Sequence, residues 1–117
     1  MNRAEFNSIF KSISDFFGLL SNPDRVKILG LLIQQELDVH SIVEKLHISQ
    51  SRVSQHLKLM KLNNLVVERR EGKHVYYHVK DANVAKVIES AIEFYMSSEA
   101  DPQTLTSFNE LFNLWHV

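Results

Sequence analysis

Apolar residues recur at helical spacing over most of the chain. The first twenty residues carry a wide apolar stripe that includes four phenylalanines, and this stripe predicts a helix (Phe6, Ile9, Phe10, Ile13, Phe16, Phe17 and Leu20). Asn22 can cap a second helix, and Pro23 stands at its first position, where the missing N–H costs nothing. This second helix is apolar over most of its circumference, so we expect it at the centre of the fold.

Residues 38–62 are expected to form two short helices joined by a tight turn. Asp38 can cap the first helix, and Ser49 can cap the second after a connection at residues 47 and 48. The second helix has a narrow apolar stripe, whereas its exposed face is rich in Gln, Ser, Arg, His and Lys and contains no acidic residue. This pattern is typical of a helix-turn-helix whose second helix contacts nucleic acid, although an ordinary surface helix also shows a polar face.

Residues 65–79 are predicted to form a β-hairpin. Residues 65–69 and 74–79 are rich in β-branched and aromatic side chains, and residues 70–73 form the turn, with Gly72 where a positive φ is expected. Arg69, Arg70 and Lys73 are expected at the tip. A basic hairpin directly after a helix-turn-helix is the arrangement called a wing, which reaches phosphates or the minor groove.

Two further helices complete the prediction. Asp81 can cap a helix at residues 82–96, which residues 97–101 are expected to break. Asp101 and Pro102 repeat the cap-plus-proline pattern and predict an additional helix with an aromatic face at residues 102–116. The expected fold is a single domain spanning residues 1–117, mainly α with a small β-hairpin, in the order α1-α2-α3-α4-β1-β2-α5-α6.

Composition narrows the function classes. The 117 residues include no cysteine, which removes disulfides, thiolate metal sites and thiol redox chemistry. We expect a cytoplasmic protein without membrane contact, because neither a signal peptide nor a long apolar run is apparent. No nucleophile elbow, phosphate loop or paired-carboxylate pattern is present, so neither an enzyme nor a bound cofactor is expected.

Positive charge is concentrated in one segment. The net charge is −1, yet seven of the thirteen Lys and Arg residues lie between residues 49 and 80, with two acidic residues beside them. The rest of the chain is strongly acidic. This distribution favours contact between residues 49–80 and phosphate groups.

Three segments together carry a resemblance to the ArsR family of winged-helix bacterial repressors. They read LSNPDRVKIL at residues 20–29, ISQSRVSQHLK at residues 48–58 and REGKHVYY at residues 70–77, and the resemblance covers roughly residues 6–96. It implies a homodimer in which the helices at residues 1–20 and 82–96 form the interface. It further implies binding of double-stranded DNA at an inverted-repeat operator, with transcription repressed until an inducer binds.

The resemblance and the side-chain chemistry select candidate DNA-binding residues. Gln can pair with adenine and Arg with guanine through two hydrogen bonds. The expected contacts to base edges or nearby sugar-phosphate are Ser51, Arg52, Ser54, Gln55 and His56. The expected backbone contacts are Gln50 and Lys58, and the expected phosphate or minor-groove contacts of the wing are Arg69, Arg70 and Lys73. For His56, a hydrogen bond within the helix is an equal alternative.

Metal sensing is the first alternative function. Members of the family that sense metals often carry a Cys-x-Cys pair in the first helix of the helix-turn-helix, and here those positions are Asp38 and His40. Both side chains can ligate Zn or Ni, but a capping Asp38 and an exposed His40 are the simpler interpretation. The family's second metal site, on the fifth helix, corresponds to Asp81, Asn83, Phe94 and Ser97, where three of the four ligands are absent. We therefore expect no metal.

A winged-helix module for protein interaction is the second alternative, because a fold does not fix a function. The aromatic face at residues 102–116 would then be its docking surface. The sequence leaves open the operator, the target genes, the inducer and the choice between repression and activation.

Overall fold

The computed structural model describes residues 1–99 and contains five helices and one hairpin in that range. The predicted helix at residues 102–116 lies outside these residues. The elements are α1 (Arg3–Leu19), α2 (Pro23–Gln34), α3 (Val39–Leu46), α4 (Gln50–Leu62), β1 (Val66–Glu71), β2 (His74–Val79) and α5 (Ala82–Glu99). The predicted break after residue 96 is wrong, because α5 continues to Glu99. Ser97 and Ser98 disfavour a helix only slightly, and neither Gly nor Pro occurs between residues 82 and 99.

The predicted helix starts are confirmed by their hydrogen bonds. Asn22 accepts from the backbone N–H of Arg25 at 3.1 Å, and Asp38 accepts from that of Ser41 at 2.8 Å. Ser49 accepts from the N–H of Arg52 at 3.2 Å and so fixes the first turn of α4. Each cap satisfies a backbone donor that has no partner within its helix.

The turn between α3 and α4 depends on a left-handed residue. His47 ends α3 with φ 55° and ψ 40°, and its backbone N–H donates to the carbonyl of Val43. Ile48 follows and is buried, so the connection needs no further residue before the cap at Ser49. The two helices of the helix-turn-helix are therefore held at a fixed angle by a short, packed turn.

The core lies between α2, α3, α4 and the base of the hairpin. Ile28 and Leu29 of α2 are fully buried, which confirms that α2 is the central helix. The predicted stripe of α4 is confirmed as well, since Val53, Leu57 and Met60 are each at most 1% exposed. Burying side chains of this size favours folding by roughly 1.5–3 kcal/mol each.

The second strand of the hairpin lies where it was predicted, whereas the first continues two residues further, to Glu71, and makes the turn tighter than predicted. The antiparallel register runs from Val66 opposite Val79 to Glu71 opposite His74, so that Gly72 and Lys73 alone form the turn. Gly72 has the predicted positive φ, 61°, which at the first position of a two-residue turn is the pattern of type II′. Arg69 and Arg70 are therefore not at the tip, because they pair with Tyr76 and Val75 within the ladder, whereas Lys73 is in the turn as predicted.

The link between α2 and α3 contributes a third strand-like segment. Leu37 and Tyr77 exchange two backbone hydrogen bonds, at 3.2 Å and 2.8 Å. The sequence interpretation treated residues 34–37 only as a link, because one bridging residue leaves no periodic pattern. This bridge fixes the base of the hairpin to the end of the central helix.

Helices α1 and α5 leave apolar side chains uncovered within one protomer. No residue of α1 is buried, and Phe10 and Phe17 are each 56% exposed. On α5, Ile88 is buried in the core, whereas Phe94 and Tyr95 are 63% and 59% exposed. The N-terminal phenylalanines thus do not mainly cover the protomer's own core. Within residues 1–99 no helix combines the length and apolar character that crossing a membrane requires.

Candidate nucleic-acid interface

Helix α4 presents its polar side chains away from the core. Because Val53, Leu57 and Met60 face inward, the opposite side of the helix is accessible. The exposed candidates are Gln50, Ser51, Arg52, Ser54, Gln55 and Lys58. An exposed helix of 13 residues is about 20 Å long and can enter the major groove of DNA, which is about 12 Å wide.

Arg52 is held by an acidic residue that the sequence interpretation missed. Its Nη2 donates a hydrogen bond to Oδ2 of Asp24, in the first turn of α2. The two residues are 28 positions apart, so neither helix periodicity nor local spacing could have revealed the contact. Asp24 therefore belongs to the candidate interface, as a neighbour of Arg52.

His56 differs from the other candidates because it is half-buried. Burial lowers the pKa of His56, the positive charge of Arg25 lowers it further, and Asp24 opposes this shift. The imidazole is consequently neutral near pH 7, with one nitrogen that donates and one that accepts. This form suits a base contact and a hydrogen bond within the protein equally.

Arg69 of the wing is engaged in contacts within the protein. Its Nε lies 3.1 Å and 3.2 Å from the two carboxylate oxygens of Glu36, and its Nη1 lies 2.8 Å from Oε2 of Glu71. The guanidinium also lies 4.9 Å from the centre of the Tyr76 ring. These contacts hold Arg69 along the side of the hairpin.

The other basic residues near the wing are more accessible. The side chain of Arg70 is 75% exposed and lies 3.9 Å from a carboxylate oxygen of Glu68. Glu68 is closer to Lys61, at 2.8 Å, and the hydrogen bond from Lys61 lowers the pKa of Glu68. Among the side chains of residues 1–96, neither Lys73 in the turn nor Lys58 on α4 forms an ion pair.

The two metal candidates have other contacts. Asp38 caps α3, and hydrogen bonds from Ser41 lower its pKa. Nε2 of His40 lies 3.0 Å from Oε1 of Glu44, one helical turn away on the exposed face. In the part of the chain that the structure describes, no group of three or more His, Asp or Glu residues is arranged to hold a metal ion.

Comparison with known proteins gives consistent matches. The profile of bacterial regulatory proteins of the arsR family matches residues 22–67, from the cap of α2 to the first strand of the wing. The nodulation protein NolR of Rhizobium meliloti is 34% identical over 80 residues. That match covers 68% of this chain and 66% of NolR, so the chain spans just under two thirds of the relative's length.

Solved structures match over nearly their whole length. The transcriptional regulator HlyU of Vibrio vulnificus is 33% identical with a TM-score of 0.70, and the match covers 81% of this chain and 99% of HlyU. A homodimeric winged helix-turn-helix DNA-binding domain from Mycobacterium bovis has a TM-score of 0.72 at 24% identity, covering 86% of this chain and 93% of that domain. The second likeness establishes the fold alone.

Proposed function

The chain belongs to the arsR family of bacterial regulatory proteins, and from this premise we propose that it is a homodimeric repressor that binds an inverted-repeat operator. Its relatives include transcriptional regulators, and the chain is not an enzyme. The observation that carries the proposal is the face of α4, where polar and basic side chains without an acidic residue lie above a fully buried stripe. Such a face offers hydrogen-bond donors and acceptors to base edges and positive charge to phosphates.

The uncovered faces of α1 and α5 support a homodimer. Large apolar side chains such as Phe10, Phe17 and Phe94 are costly to leave exposed together, and a second copy of the chain would cover them. A two-fold dimer would present two α4 helices to half-sites about 34 Å apart, one turn of DNA. The homodimeric domain of Mycobacterium bovis has the same fold.

The dimer can be tested with one charged substitution. Phe10→Glu places a carboxylate in the exposed apolar stripe of α1, so we expect a monomer with much weaker DNA binding. Lys11→Glu is the matched control, because Lys11 is on the same helix with its side chain 79% exposed. Light scattering after size-exclusion chromatography gives the mass of each variant. A dimer that survives Phe10→Glu would place the interface elsewhere.

Within each protomer, we assign base reading to α4 and phosphate contact to Gln50, Lys58 and the wing. Gln55 has the amide that pairs with adenine, and Arg52 has the guanidinium that pairs with guanine. The remaining α4 contacts to base edges or sugar-phosphate are Ser51, Ser54 and His56, with Gln50 and Lys58 at the backbone. In the wing, Lys73 and Arg70 are accessible for phosphate contact, whereas Arg69 would first have to release Glu36 and Glu71.

Fluorescence anisotropy tests the proposal directly. The purified protein is titrated onto the DNA upstream of its own gene and onto a scrambled duplex at physiological salt. A repressor should prefer the first by about a thousandfold or more. Equal affinity for both duplexes would contradict the presence of an operator in the upstream DNA.

A double substitution separates the repressor from a protein-interaction module. Arg52→Ala with Gln55→Ala should abolish the preference for the upstream DNA, whereas an interaction module would tolerate both changes. Asn7→Ala with Lys11→Ala is the matched control, since it removes one amide and one cation from exposed positions of α1. Repeating the titration with Zn and with EDTA tests the metal alternative. A change in DNA affinity that depends on Asp38 and His40 would favour it.

A further inference from the structure

Asp24 and Arg52 connect the first turn of the central helix to the first turn of α4. The hydrogen bond runs from Nη2 of Arg52 to Oδ2 of Asp24. The side chain of Asp24 is 16% exposed, whereas that of Arg52 is 61% exposed. A recessed carboxylate therefore holds one nitrogen of an arginine whose remaining surface faces solvent.

The position of the carboxylate is fixed by the start of α2. Pro23 is the first residue of the helix, and Asn22 caps it by accepting from the N–H of Arg25. The Nε of Arg25 in turn donates to the carbonyl oxygen of Leu19 at 2.7 Å, which ties this turn to the end of α1. Asp24 thus lies in a helix start that is held by its own cap and by a hydrogen bond to the end of α1.

Arg52 keeps hydrogen-bonding capacity after it has bound Asp24. A guanidinium has five N–H donors, and among the side chains of residues 1–96 Asp24 is the acceptor for Arg52. Adjacent free donors on the same planar group match the O6 and N7 acceptors of guanine in the major groove. The contact to Asp24 and a contact to guanine are therefore compatible in one arrangement of the side chain.

We propose that Asp24 is a positioning residue for Arg52 and that the pair reads guanine at one position of each half-site, an inference that rests on the proposed function. An arginine that is already held loses less rotational freedom when it binds a base. The negative charge of Asp24 also weakens attraction to a nearby phosphate, which every sequence offers equally. Both effects raise preference for the correct sequence rather than overall affinity.

Selection from duplexes with a randomised central segment measures this preference at each base position. Wild type should enrich guanine at one position per half-site, and Arg52→Ala should lose that enrichment. Asp24→Asn should lower it roughly threefold to tenfold, the effect expected for one long side chain that must be ordered on binding. The same variant should bind scrambled DNA more tightly, because one negative charge per protomer is removed.

Two comparisons assign the effect to the pair. Asp15→Asn is the matched control, since it neutralises an acid that pairs with Lys11 on α1, and it should leave the guanine enrichment as in wild type. When Arg52 is already alanine, Asp24→Asn should change nothing further at that position. Asp24→Glu keeps the charge and should restore part of the enrichment. Unchanged enrichment in Asp24→Asn, or an equal loss in Asp15→Asn, would overturn the proposal.

The free protein offers a test that does not depend on the variants folding. Nitrogen NMR of wild type should show slowed rotation of the Arg52 guanidinium, whereas a freely rotating group would overturn the inference. If wild type selects no sequence at all, the proposed function itself fails. If wild type selects an operator that Asp24→Asn selects equally well, the role of Asp24 fails alone.

Discussion

Helix α4 and the wing both carry basic residues, but the two regions hold them differently. The exposed face of α4 has no acidic residue. Among the side chains of residues 1–96, its candidate residues form one ion pair, from Arg52 to Asp24 on another helix. The wing carries two acidic and two basic residues from Glu68 to Glu71, and Arg69 is shared between Glu36 and Glu71. Helix α4 therefore leaves its basic side chains accessible, whereas in the wing neighbouring acidic residues neutralise much of the positive charge.

This difference separates two tasks in the proposed complex. Base reading needs side chains on a rigid element, and the buried stripe of α4 supplies that rigidity. Phosphate contact needs charge at the right distance, and the wing can supply it from Lys73 in the turn. The base of the wing is nonetheless well fixed, by the backbone bridge of Leu37 with Tyr77.

The largest effect is expected in the buried stripe of α4. Leu57→Ala should lower the free energy of unfolding by about 2–5 kcal/mol, because Leu57 is 1% exposed and its loss leaves a cavity. Val75→Ala, at a half-buried position of the wing, should cost about 1 kcal/mol or less. Urea denaturation measures both values. Leu59→Ala, at an exposed position of α4, controls for helix propensity, and equal losses at all three positions would refute the contrast.

The next effect tests the proposed base reading by α4. Gln55→Ala should reduce the binding free energy by roughly 1–3 kcal/mol per half-site, confined to one base position, because its amide is exposed and can pair bidentately. Anisotropy on a set of singly substituted duplexes locates that position. A loss of equal size on every duplex would indicate that Gln55 contacts the backbone.

Most of the helical frame was predictable because its signals are local. A cap residue followed by an apolar stripe specifies both the start and the buried face of a helix, as Ser49 with Val53 and Leu57 does for α4. The end of α5 was misplaced because the serines near residue 97 are weak signals. The end of β1 was misplaced because Arg70 and Glu71 carry no strong preference against a turn, and the ladder is determined by its partner strand.

The candidate site was predictable as a list of side chains but not as an arrangement. Sequence patterns could select Arg52 and Arg69 as candidates, since a helix face and a hairpin are local features. They could not show that Asp24 holds one and Glu36 the other, because those contacts span 28 and 33 residues. Long-range contacts depend on how elements pack, which one sequence does not encode in any short segment.

A smaller effect distinguishes the cations of the wing. Lys73→Ala should reduce the steepness with which DNA affinity falls with salt by about one unit per protomer, because a phosphate contact is lost. Arg69→Ala should reduce it less, since Glu36 and Glu71 already balance that charge. Anisotropy over a range of KCl concentrations gives the slopes. Equal reductions would mean that Arg69 exchanges its partners for phosphate when DNA binds.

The smallest effect is the pH dependence that His56 adds to the free energy of unfolding. Burial lowers the pKa of His56 in the folded protein below its ordinary value of 6.5, so the unfolded chain takes up this proton first as pH falls. The contribution of His56 to the free energy of unfolding is therefore fully present above about pH 6.5. It decreases as the pH falls below the pKa of the unfolded chain towards the lower pKa of the folded protein. His56→Asn should flatten this part of the curve of unfolding free energy against pH. His74→Asn removes an exposed imidazole from the wing and is the matched control, and a curve unaltered by His56→Asn would contradict the burial of this side chain.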